Sequence, residues 1–221
     1  EAPDVCTSLL VNHYLNNAFL KWAVVGTFGD NLKKSAEALA KPLSLTKERL
    51  DKLENLGIYI NYNGYGPQLK DLHFSPAELY RLVSQYKCPF DFLEDDKIHF
   101  EQLETGYKDD MRKANESKPV TETSSSAVFI LPNTAWARRV SGVFSNDLCN
   151  KFDSRAHAVL IENNDGGYLV SVRAPLSNKQ GASNLCGQFP TGGGRAAAAG
   201  INDLPTESLN EFLDKFKLAY N

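Results

Sequence analysis

Long apolar runs are missing from this chain of 221 residues. No stretch approaches the roughly 18 apolar residues that a membrane helix needs, and no leader pattern is visible, so no membrane partner is expected. Cysteine is sparse and dispersed: Cys6, Cys88, Cys149 and Cys186 form no Cys-x-x-Cys pair. They read as reduced, mostly buried thiols of a cytoplasmic protein. Several motifs are absent as well. There is no Gly-x-Ser-x-Gly elbow, no His-Glu-x-x-His, no zinc spacing of Cys and His, no P-loop and no Gly-x-Gly-x-x-Gly. His13, His73, His99 and His157 are scattered. Charge of neither sign dominates: 24 Lys and Arg stand against 27 Asp and Glu, a net charge of −3. A general polyanion-binding surface is therefore not expected, and any anion site must be a local cluster. Methionine occurs once, at Met111, and the opening "EAPDVCTSLLVNHYL" reads as the interior of a longer protein.

What is present divides in two. Residues 1–92 read as mostly helical. A short helix covers 8–16, and "KWAVVGTFGDNL" follows with a strand-like apolar core from Trp22 to Val25. "LSLTKERLDKLENLG" is a helix capped by Thr46, stapled by Leu45 and Leu50 and stopped at Gly57. "SPAELYRLVSQY" begins with Ser75 as cap, Pro76 at the first helical position and Glu78 closing a capping box. Residues 93–124 read as an exposed helix, with an apolar stripe at Ile98, Leu103 and Tyr107, and a polar linker. Asp95-Asp96 and Asp109-Asp110 there read as solvated faces. Residues 125–221 switch to an α/β pattern: a buried strand "AVFILP", a helix in which Ser141 and Gly142 suggest a close approach, a hairpin of "AHAVLIEN" and "YLVSVRAP", and a last helix with Leu209, Phe212, Leu213 and Phe216 on one face. The fold class expected is α/β, a mostly helical part followed by a smaller mixed-sheet domain.

Chemistry is suggested at three places. "FPTGGGRAAAAGIN" removes side chains around one guanidinium. Glycines expose backbone N–H groups to an anion, alanines favour a following helix, and a helix opened by such a loop attracts phosphate. Arg195 would add a bidentate fork; the alternative is a tight turn with Arg195 in solvent. Arg173 ends "YLVSVR", and strand alternation puts it on one face with Ser171. It is either a second arm of an anion clamp or an exposed polar-face residue. Asp30 follows "VVGTFG", where a carboxylate beyond a strand end suits a metal ligand; the alternative is an N-cap for the next helix.

In this order, these pieces resemble the DHH phosphoesterase superfamily, over nearly the whole chain. "SVRAP" followed by "LCGQFPTGGGRAAAAG" is similar to the signature of its associated C-terminal domain, and "VVGTFGD" resembles the last motif of its catalytic domain. The resemblance implies a split into the end of a catalytic domain (1–92), a connector (93–124) and a substrate-binding domain (125–221). It implies that Arg173, Gly193, Gly194 and Arg195 contact phosphate and that Asp30 is a ligand of Mn²⁺ (or Mg²⁺). The family's loop usually carries His where Arg195 stands, and the earlier Asp-x-Asp and Asp-His-His motifs are not in this sequence. The expected function is that of a fragment of a manganese-dependent phosphoesterase acting on small nucleotides or very short oligonucleotides, inactive alone. The alternatives are a nucleic-acid-binding module without catalysis and a polyphosphate or pyrophosphate hydrolase. The partner is a phosphate-containing small molecule or short nucleic acid, and the reading admits a homodimer.

Overall fold

A computed structural model describes residues 4–164 and 166–220. The chain divides into two units, Glu1–Asp109 and Asp110–Asn221. The division falls inside one helix.

The first unit is helical. Its helices are α1 (Thr7–Tyr14), α2 (Leu20–Gly29), α3 (Lys33–Ala40), α4 (Lys47–Tyr62), α5 (Pro76–Val83), α6 (Pro89–Asp95) and the larger part of α7 (Lys97–Glu116). Val24, Val25, Phe28, Leu53, Leu56 and Phe92 form its centre. Two of the expected caps are in place: Thr46 Oγ1 accepts from the Arg49 N–H and Ser75 Oγ from the Glu78 N–H. Leu45 and Leu50 pack on the same core cluster, as a hydrophobic staple requires.

Two expectations fail here for one reason. The Trp22–Val25 run is helix α2 rather than strand-like, and Gly57 lies inside α4 rather than at its end. A short buried apolar run fits either a strand or an all-round buried helix, and periodicity cannot separate them. What decides is a close crossing of α2 on α4. A Cβ on Gly57 would stand 2.2 Å from the Val25 carbonyl oxygen, and one on Gly29 would stand 2.7 Å from that of Gly57. Gly57 is therefore a contact residue, not a stop signal. On α7, Leu103 is buried and Tyr107 packs edge-on to Tyr62, but Ile98 is exposed, so the apolar stripe begins later than expected.

The second unit is a six-stranded mixed sheet between helices. In chain order it holds β1 (Thr121–Glu122), β2 (Ser126–Leu131), α8 (Ala135–Lys151), β3 (Ala156–Glu162), β4 (Gly167–Arg173), α9 (Ala182–Cys186), β5 (Gly192–Arg195), β6 (Ala198–Pro205) and α10 (Leu209–Tyr220). The strand order is β1-β2-β3-β4-β6-β5. Among the described residues only β2 and β3 pair in parallel, joined through α8. β3 reads as a continuous apolar run because both its faces are covered. Ala156, Ala158 and Leu160 enter one core with Phe212 and Phe216 of α10. Val159 and Ile161 enter the other, with Val140 and Phe144 of α8. The hairpin of β3 and β4 holds as expected. Gly142 has nothing within 4 Å of where its Cβ would stand, so the expected close approach at that position is absent. Asp110 is not solvated: it is buried and holds Arg139 of α8 through Nε at 2.7 Å and Nη2 at 3.0 Å.

Candidate functional site

The Gly-Arg-Ala stretch does not open a helix. Gly192–Arg195 is strand β5, Ala196 and Ala197 turn, and Ala198 begins β6. Alanine's helix propensity loses to the sheet because Gly192, Gly194 and Gly200 have close neighbours. A Cβ on Gly192 would overlap the Cys186 carbonyl of α9, and Gly194, at φ +144°, would press one against Ala199 at 2.5 Å. Small residues let this hairpin of the sheet pack closely against α9. The stretch itself therefore opens no helix whose dipole could serve an anion site.

The hairpin instead brings the two expected arginines into one row. Arg173 pairs with Ala198 on one side, and Arg195 pairs with the same Ala198 on the other. Directly paired residues project to the same face. Both guanidiniums therefore stand on the face opposite the core that holds Val170 and Val172, with their Cα atoms about 10 Å apart, twice the strand spacing. The neighbouring row on that face is Ser171, Gly200 and Gly193. Serine, alanine and two glycines thus make a low floor between two cations. Gly193 is exposed, its φ is ordinary and a Cβ there would meet nothing within 4 Å. Neither space nor backbone conformation demands that glycine. β5 is also the last strand, so alternate N–H groups of its outer edge lie outside the ladder.

Arg173 is held from α8. Its Nε donates to Asn146 Oδ1 at 3.0 Å, and its Nη1 donates to Ser171 Oγ at 3.0 Å and to the Val172 carbonyl at 3.2 Å. None of these acceptors is charged. Among the described residues neither Arg173 nor Arg195 has a carboxylate partner. Burial draws the Arg173 pKa below the ordinary arginine value; the neighbouring Cys149 opposes this and the Arg195 charge adds to it. Two like charges without a counter-charge form an arrangement that an anion would stabilise.

The row continues inward to His157, which pairs with Arg173. His157 is fully buried. Arg155 Nε donates to its Nε2 at 3.0 Å, which fixes the ring proton on Nδ1, 3.8 Å from Cys149 Sγ. Burial, and after it the Arg155 charge, depress the His157 pKa from 6.5 to about 4. Arg155 itself is committed: it ion-pairs with Glu122 and lies 3.8 Å over the Phe152 ring. This cluster and Asn146 were not singled out from the sequence. His157 has an apolar strand around it, and Asn146 meets a partner 27 residues away, so no local pattern marks either.

Asp30 lies in the other unit. It is the C-cap residue of α2 and is exposed. It is not the N-cap of α3, which Leu32 precedes. With Thr7, Ser8, Gly29 and Asn61 it lines a cavity of about 260 Å³. Among the described residues no three His, Cys, Asp or Glu side chains come together as a metal site would require. One carboxylate beside hydroxyls and an amide does not fit a resident Mn²⁺ or Mg²⁺, which prefers several oxygen donors including further carboxylates. The four thiols are free, and among the described residues no helix is long and apolar enough to cross a membrane.

No family model and no curated protein matches this chain. Solved structures do. The DHH domain of a member of the s1p family of ribosomal proteins superposes on 91% of this chain and 49% of its own, at 17% identity and a TM-score of 0.51. An exopolyphosphatase-related protein from Bacteroides fragilis (17% identity, 86% of this chain, 55% of its own, TM-score 0.39) and CDC45 from Entamoeba histolytica (8%, 91%, 54%, TM-score 0.47) are also similar, at scores that carry no further argument. The fold is that of a DHH-domain protein, and its α/β class is as expected. The chain spans about half the length of the solved structures it matches.

Proposed function

We propose that this chain supplies the phosphate-binding part of a phosphoesterase that acts on small nucleotides or very short oligonucleotides. The observation that carries the reading is the pair Arg173 and Arg195: two guanidiniums on one sheet row, on one face, over a floor without bulky side chains, with no carboxylate to neutralise either. A phosphate seated there would accept from both forks and from the backbone around Gly193 and Gly194. The unit Asp110–Asn221 would then be the substrate-binding domain.

Hydrolysis by this class of enzyme draws on a divalent metal, which activates water and neutralises phosphate. Asp30 would be one ligand of Mn²⁺ or Mg²⁺ only with donors from outside the described residues. To this chain we therefore assign binding and orientation of the phosphate, and no chemical step. Arg195, in place of the histidine of similar loops, stays charged at neutral pH and acts as a clamp without a proton to exchange. The free thiols support a reducing, cytoplasmic location.

Calorimetric titration of the full chain with inorganic phosphate, pyrophosphate and a nucleoside monophosphate tests the proposal. Each should bind, and Arg173→Ala or Arg195→Ala should weaken binding by about tenfold or more, the loss expected for a charge-assisted hydrogen bond. Equal affinity in the wild type and both variants would place the anion elsewhere. Tighter binding of the nucleotide than of pyrophosphate favours a nucleotide substrate; the reverse order favours polyphosphate.

A further inference from the structure

Asn146 has no role in the clamp described so far beyond touching Arg173. Its amide is oriented by chemistry. Arg173 Nε is a donor only, so the atom 3.0 Å from it must be the carbonyl oxygen Oδ1. The Nδ2 group then lies on the far side of the amide, with two N–H groups and no acceptor among the described residues. Arg173 shows the complementary pattern. Its Nε is used by Asn146 and its Nη1 by Ser171 and Val172, while Nη2 has no acceptor among the described residues. Nη2 shares an edge of the guanidinium with Nε. An oxygen accepting from Nη2 on that edge lies beside the Asn146 amide. Asn146 sits on the exposed side of α8, so nothing apolar has to be displaced to reach it.

We propose that Asn146 is a third arm of the anion site: its Oδ1 holds the Arg173 fork in place and its Nδ2 donates to the same phosphate. The inference rests on the phosphate site proposed above and adds a residue that neither the sequence motif nor the glycine hairpin contains. It also explains why the acceptor on Arg173 is an amide. A carboxylate at that position would ion-pair with Arg173, neutralise it, and repel the ligand.

Asn146→Asp is nearly isosteric and keeps an acceptor for Arg173 Nε, so the variant should unfold at the same temperature as the wild type or higher. Its affinity for pyrophosphate, measured by calorimetry on the full chain, should fall about tenfold or more. Asn146→Ala should also bind more weakly, with the unfolding temperature little changed. Because the aspartate also neutralises Arg173, donation by Nδ2 is read separately: in ¹⁵N NMR of the wild type the Asn146 Nδ2–H₂ signals should shift along the pyrophosphate binding curve, and signals that stay in place overturn the third arm. Wild-type binding with Asn146→Asp within twofold of it overturns the third arm and leaves the arginine clamp standing. An aspartate variant that loses stability and affinity together also overturns it. A wild type that binds no pyrophosphate overturns the clamp and this inference with it.

Discussion

Gly193 and Gly194 are adjacent and chemically identical, yet they serve different ends. Gly194 is required by the fold: its φ of +144° and the 2.5 Å approach of Ala199 leave no place for a Cβ. Gly193 has room for one, on the face that carries both arginines. Gly194→Ala should therefore destabilise the protein by about 1–3 kcal/mol. Gly193→Ala should leave the unfolding midpoint unchanged while weakening pyrophosphate binding severalfold by filling the floor. Thermal unfolding and calorimetry on the two variants check this; a Gly193→Ala protein with unaltered affinity would remove the floor from the site. The sequence already placed Arg173 correctly, because the period-two alternation of "YLVSVR" survives in any half-buried strand. The placement of Arg195 was not legible. In "GGGRAAAAG" local propensity favours a loop and helix, and only the neighbours of Gly192 and Gly194 make it a hairpin.

At the scale of elements, the contact of β3 with α8 carries a pH dependence. His157 is held neutral, with its pKa depressed from 6.5 to about 4. Between those values the unfolded chain binds a proton that the folded chain does not, so stability falls as pH falls through that window. The contribution is present in full above pH 6.5, amounts to roughly 3 kcal/mol at about 1.4 kcal/mol per pH unit, and is lost as pH approaches 4. Denaturant unfolding at pH 7 and pH 4 should show this loss in the wild type over and above that of His157→Gln, whose amide can still accept from Arg155. Parallel pH profiles for the two proteins would contradict it. Other element-level features were hidden for the same physical reason that hid Arg195: they depend on what crosses. Gly57 looked like a helix stop and is the point where α4 meets α2. Asp110 looked solvated in a charged run and anchors α7 to α8 through Arg139; without it, a guanidinium would stay buried and unpaired. Caps are local, and so Thr46 and Ser75 were read correctly.

For the whole molecule, the net charge of −3 and the row of Arg173 and Arg195 fit together. On the proposed reading, an acidic chain carrying the Arg173 and Arg195 row would suit one phosphate at one place rather than polyanions broadly. The fold of a DHH-domain protein over 91% of the chain was legible in "SVRAP", which ends a strand that the topology uses directly, whereas "GGGRAAAAG" carried the resemblance without revealing its hairpin. The metal side was not equally legible. A motif names Asp30, but a metal site is a gathering of donors, and the described residues do not gather them. The central claim is therefore the anion row, and side-chain and backbone ¹⁵N NMR of the full chain during a pyrophosphate titration addresses it directly. The account predicts that the Arg173 and Arg195 Nε–H signals and the Gly193 and Gly194 amides shift together along one binding curve. The Nε–H signals of Arg139 and Arg155, already ion-paired, should stay in place. Saturable binding that leaves the Arg173 and Arg195 signals unmoved would contradict it.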